Sequence, residues 1–353
     1  MNEDCDDSAA VVNDSVNPVR NFSPAWFAVI MGTGILVTTS ISYASYIPAL
    51  REVGRVLFYI NAVLFAFFLT PWILRWLFYR KEALQDLNHP INANFYPTFP
   101  AAIVILGSNF MLIEKLFNVG LWMWVVGSAI TVIFAFLVPY ITFKGEHVTL
   151  DHISPALFIP PVALLVIPIV GSSFIGHFTG WADEWIIFAN YFGLGAGFFI
   201  YLALLAVSMY RFIIHHPLPN VLAPTIWINL GPVGATIIAL YKLAPHGAGA
   251  TNQSPIYLFG FLLWGFGIWW VGMAIMLTIH YIRRLKLPYA MSWWAFTFPL
   301  GAYVAASHAV GQVFSSLVDY MGLSLYFLLF ALWAITLVNT VVHGAKGDLF
   351  RAR

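Results

Sequence analysis

Of the chain's 353 residues, 61% are hydrophobic and only 9% charged, with a net charge of +1 and a mean hydropathy of +0.83. A soluble domain carries about 25% charged residues, so these charges cannot cover a water-facing surface, and the chain reads as an integral membrane protein. The balanced charge excludes a nucleic-acid partner, and the lone Cys5 excludes disulfides and cysteine metal sites.

The chain opens on an acidic tail, 1–22, with five acids before its first base, Arg20. It lacks the basic start and apolar core of a signal peptide and reads as a short disordered segment. Ten apolar windows follow in a single domain over 23–344: 24–45, 56–79, 96–117, 119–141, 153–175, 184–212, 221–244, 255–281, 289–317 and 320–343. A bilayer core needs about 20 apolar residues per helix. Uninterrupted runs of this length exclude an outer-membrane barrel, whose strands alternate over about 10 residues. Residues 345–353 form a second short tail. Twelve lysines and arginines fall on the side of the termini and four (Arg51, Arg55, Lys115, Lys242) on the other. The positive-inside rule then places both termini in the cytoplasm, and the plasma membrane is the expected location.

The helix breakers are not spread evenly. Odd spans carry them: Gly32 and Gly34, then Pro97 and Pro100, Pro160 and Pro161, Gly231 and Pro232, and finally Pro299 and Gly301. The successive marks Gly32, Pro100, Pro161, Pro232 and Pro299 are 68, 61, 71 and 67 residues apart. An interior proline removes an i→i−4 hydrogen bond and kinks a helix; Pro299 is expected to free the carbonyl of Ala295. A freed carbonyl is tolerated where it lines water or protein rather than lipid. Five kinked helices around a central pore, with even spans as an outer ring, satisfy that constraint. The first span has no proline, so its bend rests on Gly32 and Gly34, which would serve close packing equally well.

Three stretches carry a resemblance: NFSPAWFAVIMGTGILV (21–37), PTIWINLGPVGAT (224–236) and SWWAFTFPLGA (292–302). They resemble the tellurite-resistance/dicarboxylate transporter family, which includes TehA, plant slow anion channels, the fungal malate permease and the fungal sulfite efflux pump. The likeness spans about 22–343. It implies an all-α membrane protein of ten transmembrane helices, arranged as five hairpins in a quasi-fivefold array whose inner kinked helices line a central pore. It also implies a homotrimer with one pore per protomer. The family pattern on the ninth helix falls on Trp294-Ala295-Phe296-Thr297-Phe298, which makes Phe298 the implied pore gate.

An anion in such a pore needs donors or a positive field without a deep trap. The expected polar lining is Thr33, Asn109, Asn229, Thr236, Thr297 and His308. Ser108 and Ser307 are expected to make interhelical hydrogen bonds instead. Lys242 belongs at the pore mouth, where it draws anions by its field or snorkels toward headgroups. His308 lies ten residues past Phe298, about 80° off the gate face, as a titrating pore residue or a satisfied structural one. Glu114 lies at a helix end and no acidic residue sits mid-membrane in a broken span, which disfavours a cation path. The expected function is transport of small anions: malate-like dicarboxylates, sulfite, nitrate or chloride. No enzyme activity, cofactor or metal is expected. A proton-coupled carrier with alternating access is the alternative within transport. A membrane haem protein using His280 and His308 is the alternative outside it, disfavoured because the two lie at different depths.

Overall fold

The computed structural model describes residues 17–144, 149–246 and 252–350. The tail through residue 16, with Cys5, and the Arg351 and Arg353 of the charge count lie outside the described residues. Lipid offers backbone groups no partner, so a chain this apolar satisfies them within helices, and no strand occurs among the described residues.

Five helical hairpins follow one another. They pair α1 (Phe27–Ser42) with α2 (Leu50–Phe78), α4 (Thr98–Glu114) with α5 (Phe117–Lys144), and α6 (Ile159–Gly171) with α7 (Trp181–Ile214). The last two pair α8 (Leu230–Leu243) with α9 (Ser254–His280) and α10 (Phe298–Val313) with α11 (Ser316–Ala345). The first partner of each hairpin packs on its counterparts to close a ring: α1 on α4, α4 on α6, α6 on α8, α8 on α10, and α10 back on α1. The second partners lie outside it. For the four inner spans that form long continuous helices, 67–89% of the most apolar window is buried, against 22–28% for the outer five. The expected fivefold array of inner and outer helices is therefore present.

The kinks are placed differently from the expectation. Pro100, Pro161 and Pro232 are the third residues of α4, α6 and α8, and Pro299 is the second of α10. First-turn N–H groups have no helical partner, so a proline there costs no hydrogen bond. Each inner α-helix instead starts late, after a 3-10 lead-in: Pro24–Trp26, Asn92–Phe95, Pro155–Phe158, Asn220–Asn229 or Met291–Phe296. Ala295 lies within the last of these, so Pro299 frees no α-helical carbonyl there; the first bond of α10 runs from Gly301 N–H to Thr297 O at 2.8 Å. Helix α1 runs unbroken through Gly32 and Gly34, which are packing points rather than a bend. Pro168 is the inner-helix proline that does sit past the first turn, in α6. Thr297 separates the 16 residues of α10 from their lead-in, and nine helices among the described residues are long and apolar enough to cross a membrane alone. The tenth span is the composite 291–313. A short polar helix that hydropathy windows pass over, α3 (Arg80–Asn88), lies on the face of the termini.

Hydrogen bonds repeat around the ring. Outer helices donate to the next inner unit through Trp124 to Ile167 O (3.0 Å), Tyr201 to Asn229 (2.8 Å), Trp264 to Ser307 (2.9 Å) and Trp333 to Thr33 (3.0 Å). A buried indole N–H needs such a partner, and lipid cannot supply one. On the terminal face, outer helices hold the segments that precede the lead-ins of their own hairpins. Buried Arg75 of α2 donates to the carbonyls of Arg20 (3.0 Å) and Phe22 (2.7 Å) and pairs with Asp86 of α3. Arg211 of α7 donates to Leu150 O at 3.2 Å, and Tyr281, after α9, to Leu218 O at 3.0 Å. The N- and C-terminal segments meet there as well, Asn21 donating to Phe350 O at 2.7 Å.

Candidate permeation site

One cavity, of about 50 Å³, receives side chains from all five inner units. Ala28 and Met31 come from α1, Phe95 and Thr98 from the α4 unit, Ile159 and Val162 from α6, and Ile228 from the lead-in of α8. Met291, Ser292, Trp294, Ala295, Phe298 and Pro299 come from the α10 unit. Only the ring axis is shared by all five, so the cavity lies on it. A water needs about 10–15 Å³ by this measure, so the chamber has the volume of only a few waters. No charged side chain lines it. Its two hydroxyls are already committed: Thr98 donates to Pro24 O at 2.8 Å and Phe95 O at 2.6 Å, and Ser292 donates to Val221 O.

Phe298 forms one wall, only 6% exposed. The 3-10 lead-in ends at Phe296, and α10 begins at Phe298, so the ring hangs at the break itself. Its neighbour Phe296 points elsewhere, edge-on to Trp227 with centroids 5.6 Å apart, and does not line the chamber. Close backbone approach pinches the ring at this level. A Cβ on Gly32 would lie 2.1 Å from Thr297 Oγ1, one on Gly301 2.4 Å from Ile35 Cγ2, and one on Gly234 2.5 Å from the Ala302 carbonyl. These contacts draw α1, α8 and α10 together. Small residues at helix crossings do this in membranes, where packing rather than the hydrophobic effect joins helices.

The polar residues expected in the lumen are found between helices. Thr33 accepts from Trp333 at 3.0 Å, and Asn109 donates to Gly34 O at 3.2 Å and Thr38 at 3.1 Å. Asn229 accepts from Tyr201, and Thr297 donates to Trp294 O at 2.7 Å. Thr236 is equally buried, its hydroxyl without a hydrogen-bond partner. None of these five lines the chamber. Thr33, Asn109 and Asn229 take partners from a neighbouring helix that is distant in sequence, whereas Thr297 bonds back to its own lead-in. Ser307 bridges Trp264 and Tyr303 O, as an interhelical bond would.

Lys242 is exposed at the far end of α8, while its neighbours Tyr241 and Leu243 are buried. Its ammonium donates to Ile169 O on α6 at 2.7 Å. Ile169 follows the chamber-lining Val162 by seven residues, close to two turns, so both lie on one face of α6. Lys242 therefore ties the end of α8 to α6 on the side opposite the termini. His308 is not free: its Nδ1 faces Asp319 Oδ1 at 2.9 Å. Asp319, at the edge of the last apolar window, was missed by sequence reasoning. Chamber residues Met31, Thr98, Ser292 and Trp294 were also missed, although Met31, Ser292 and Trp294 lie within the motif stretches quoted above.

The comparisons agree with this architecture. Residues 21–341 match the SLAC1 family, described as voltage-dependent anion channel. The chain is 51% identical to an uncharacterized transporter of Methanocaldococcus jannaschii, covering 94% of this chain and 96% of that one. It is 26% identical to the sulfite efflux pump of Arthroderma otae (94% and 93%). It is 24% identical to the malic acid transport protein of Schizosaccharomyces pombe (84% and 72%).

Proposed function

The chain belongs to the SLAC1 voltage-dependent anion channel family, whose members are channels and transporters rather than enzymes, and from that premise we propose that small anions cross the membrane along its ring axis, with Phe298 as the gate. The observation that carries this reading is the single chamber to which all five inner units contribute, walled by Phe298. In this state the ring and the donor-free walls offer an anion no replacement for its hydration shell, and passage requires the ring to swing aside. Lys242 supplies the positive field at the far mouth. Sulfite and C4-dicarboxylates such as malate are the first substrates to examine, because the named relatives are a sulfite pump and a malic acid transporter. We further propose that residues 23–344 form one transport domain, that three protomers assemble with a pore in each, and that both termini face the cytoplasm of the plasma membrane.

Planar-bilayer recording under a salt gradient tests the reading, using the parent and Phe298→Ala with chloride, nitrate, sulfite and malate in turn. Reversal near the anion equilibrium potential supports it; reversal near the cation potential, or no current from either folded protein, overturns it. A proton-coupled carrier is the second reading, favoured by one observation, the buried Asp319 carboxylate bonded to His308. It predicts that a proton gradient alone drives uphill anion accumulation, which a channel does not.

A further inference from the structure

Asp319 lies in the first turns of α11 at the far face and is 1% exposed. A carboxylate withdrawn from water at such a site needs partners, and it has three. Its Oδ1 faces His308 Nδ1 at 2.9 Å, while its Oδ2 accepts from Gln312 Nε2 at 2.7 Å and from the Tyr46 hydroxyl at 2.7 Å. Tyr43 reaches the Asp319 main-chain carbonyl at 3.4 Å and turns its ring to His308, centroids 5.0 Å apart. Tyr320 packs on Tyr46, centroids 5.6 Å apart. The cluster thus joins the end of α1 to α10 and α11. The bond to Asp319 holds the Tyr46 hydroxyl above the usual tyrosine range, so Tyr46 stays neutral near physiological pH.

An imidazole bonded to a buried carboxylate is a place where a proton can bind. The His308 side chain is 22% exposed, against 1% for Asp319, so solvent protons reach the pair through His308. With the Asp319 carboxylate ionised, the pair carries −1 without an added proton on His308 and 0 with one. His308 stands on inner helix α10, roughly 15 Å along the axis from Phe298, and α10 packs directly on α8, which carries Lys242.

We propose that His308 and Asp319 form a proton-binding site at the far mouth, and that its occupancy sets the charge an arriving anion meets. The inference rests on the anion path proposed above. Without the proton, the negative cluster opposes the field of Lys242; with it, Lys242 acts alone and anion access rises. For charges separated by on the order of 10 Å, effective dielectric constants between about 20 and 80 give a rise of roughly two- to fifteen-fold.

The test measures chloride flux into liposomes for Phe298→Ala and for that variant combined with His308→Gln or Asp319→Asn, with the far face at about pH 7.5 and about pH 5.5. Expected are a several-fold rise on acidification in Phe298→Ala, high flux at both pH values with Asp319→Asn, and low flux at both with His308→Gln. A rise that survives both substitutions overturns the site. If Phe298→Ala conducts nothing, the axis reading fails instead, and the site is judged by ¹⁵N-histidine NMR of the otherwise unaltered protein. A resonance absent from His308→Gln should change between about pH 5 and 8, and that change should be displaced in Asp319→Asn. A resonance that does not change, or is indifferent to Asp319→Asn, refutes proton binding by the pair.

Discussion

Phe298→Ala separates a gate from a packing residue, and the structure sets the scale. The ring is almost fully buried against the chamber walls. Burying a phenylalanine side chain is worth about 1.5–3 kcal/mol, so swinging the ring out of the axis costs about that much. At about 1.4 kcal/mol per decade, the open position is populated roughly ten- to a hundred-fold less than the closed one. Alanine abolishes the obstruction, so the predicted gain in anion flux is about ten- to a hundred-fold. Stability should fall by less than the about 3–5 kcal/mol of a Phe→Ala change in a close-packed core, because a cavity already adjoins the ring. Stopped-flow quenching of a chloride-sensitive dye in proteoliposomes reads the flux, and thermal denaturation in detergent reads the stability. Phe296→Ala is the control: it loses the packing against Trp227 and should lower the melting temperature without raising flux. Equal flux gains from both variants, or a gain below twofold for Phe298→Ala, would refute the assignment of the gate.

Gly234→Ala places a Cβ 2.5 Å from the main-chain carbonyl of Ala302, which cannot yield as a side chain would. It should destabilise by about 1–3 kcal/mol in thermal denaturation, whereas Gly265→Ala, with nothing within 4 Å, should be neutral. Trp333→Phe removes the donor to Thr33 at the seam between α11 and α1 and should cost about 1–3 kcal/mol on the same scale. Lys242→Gln should lower anion flux several-fold at about 0.01 M salt and much less at about 1 M, where the Debye length is about 3 Å; flux that is salt-independent in both proteins would remove Lys242 from the pathway.

The alternation of breaker-rich and breaker-poor spans was legible because proline and glycine act on the backbone wherever they stand, and the family motifs carried Phe298 to the axis. Where each kink falls was not legible. Whether Pro100, Pro161, Pro232 and Pro299 interrupt a helix or begin one depends on where the 3-10 lead-in gives way to α-helix, and hydropathy is the same on both sides of that point. The polar residues misled for a different reason. Thr33 and Trp333 are 300 residues apart, and a composition-based reading has no means of pairing them, so Thr33 was assigned to the lumen. Asp319 was hidden by position, since an acid at the edge of an apolar window reads as an interface residue. Its partners come from two other parts of the chain: the packing of α10 on α11 brings His308 and Gln312 to it, and the end of α1 brings Tyr46.

The central claim is that the ring axis is the anion path, and Ile169 offers the most direct test of it. It lies on the chamber face of α6, beyond Phe298 and under the Lys242 ammonium. The chain's only cysteine is Cys5, so Ile169→Cys combined with Cys5→Ser and Phe298→Ala presents a single thiol. A negatively charged, membrane-impermeant thiol reagent applied from the far side should label that thiol and abolish chloride flux. Complete labelling with flux unchanged would place the path somewhere other than the axis.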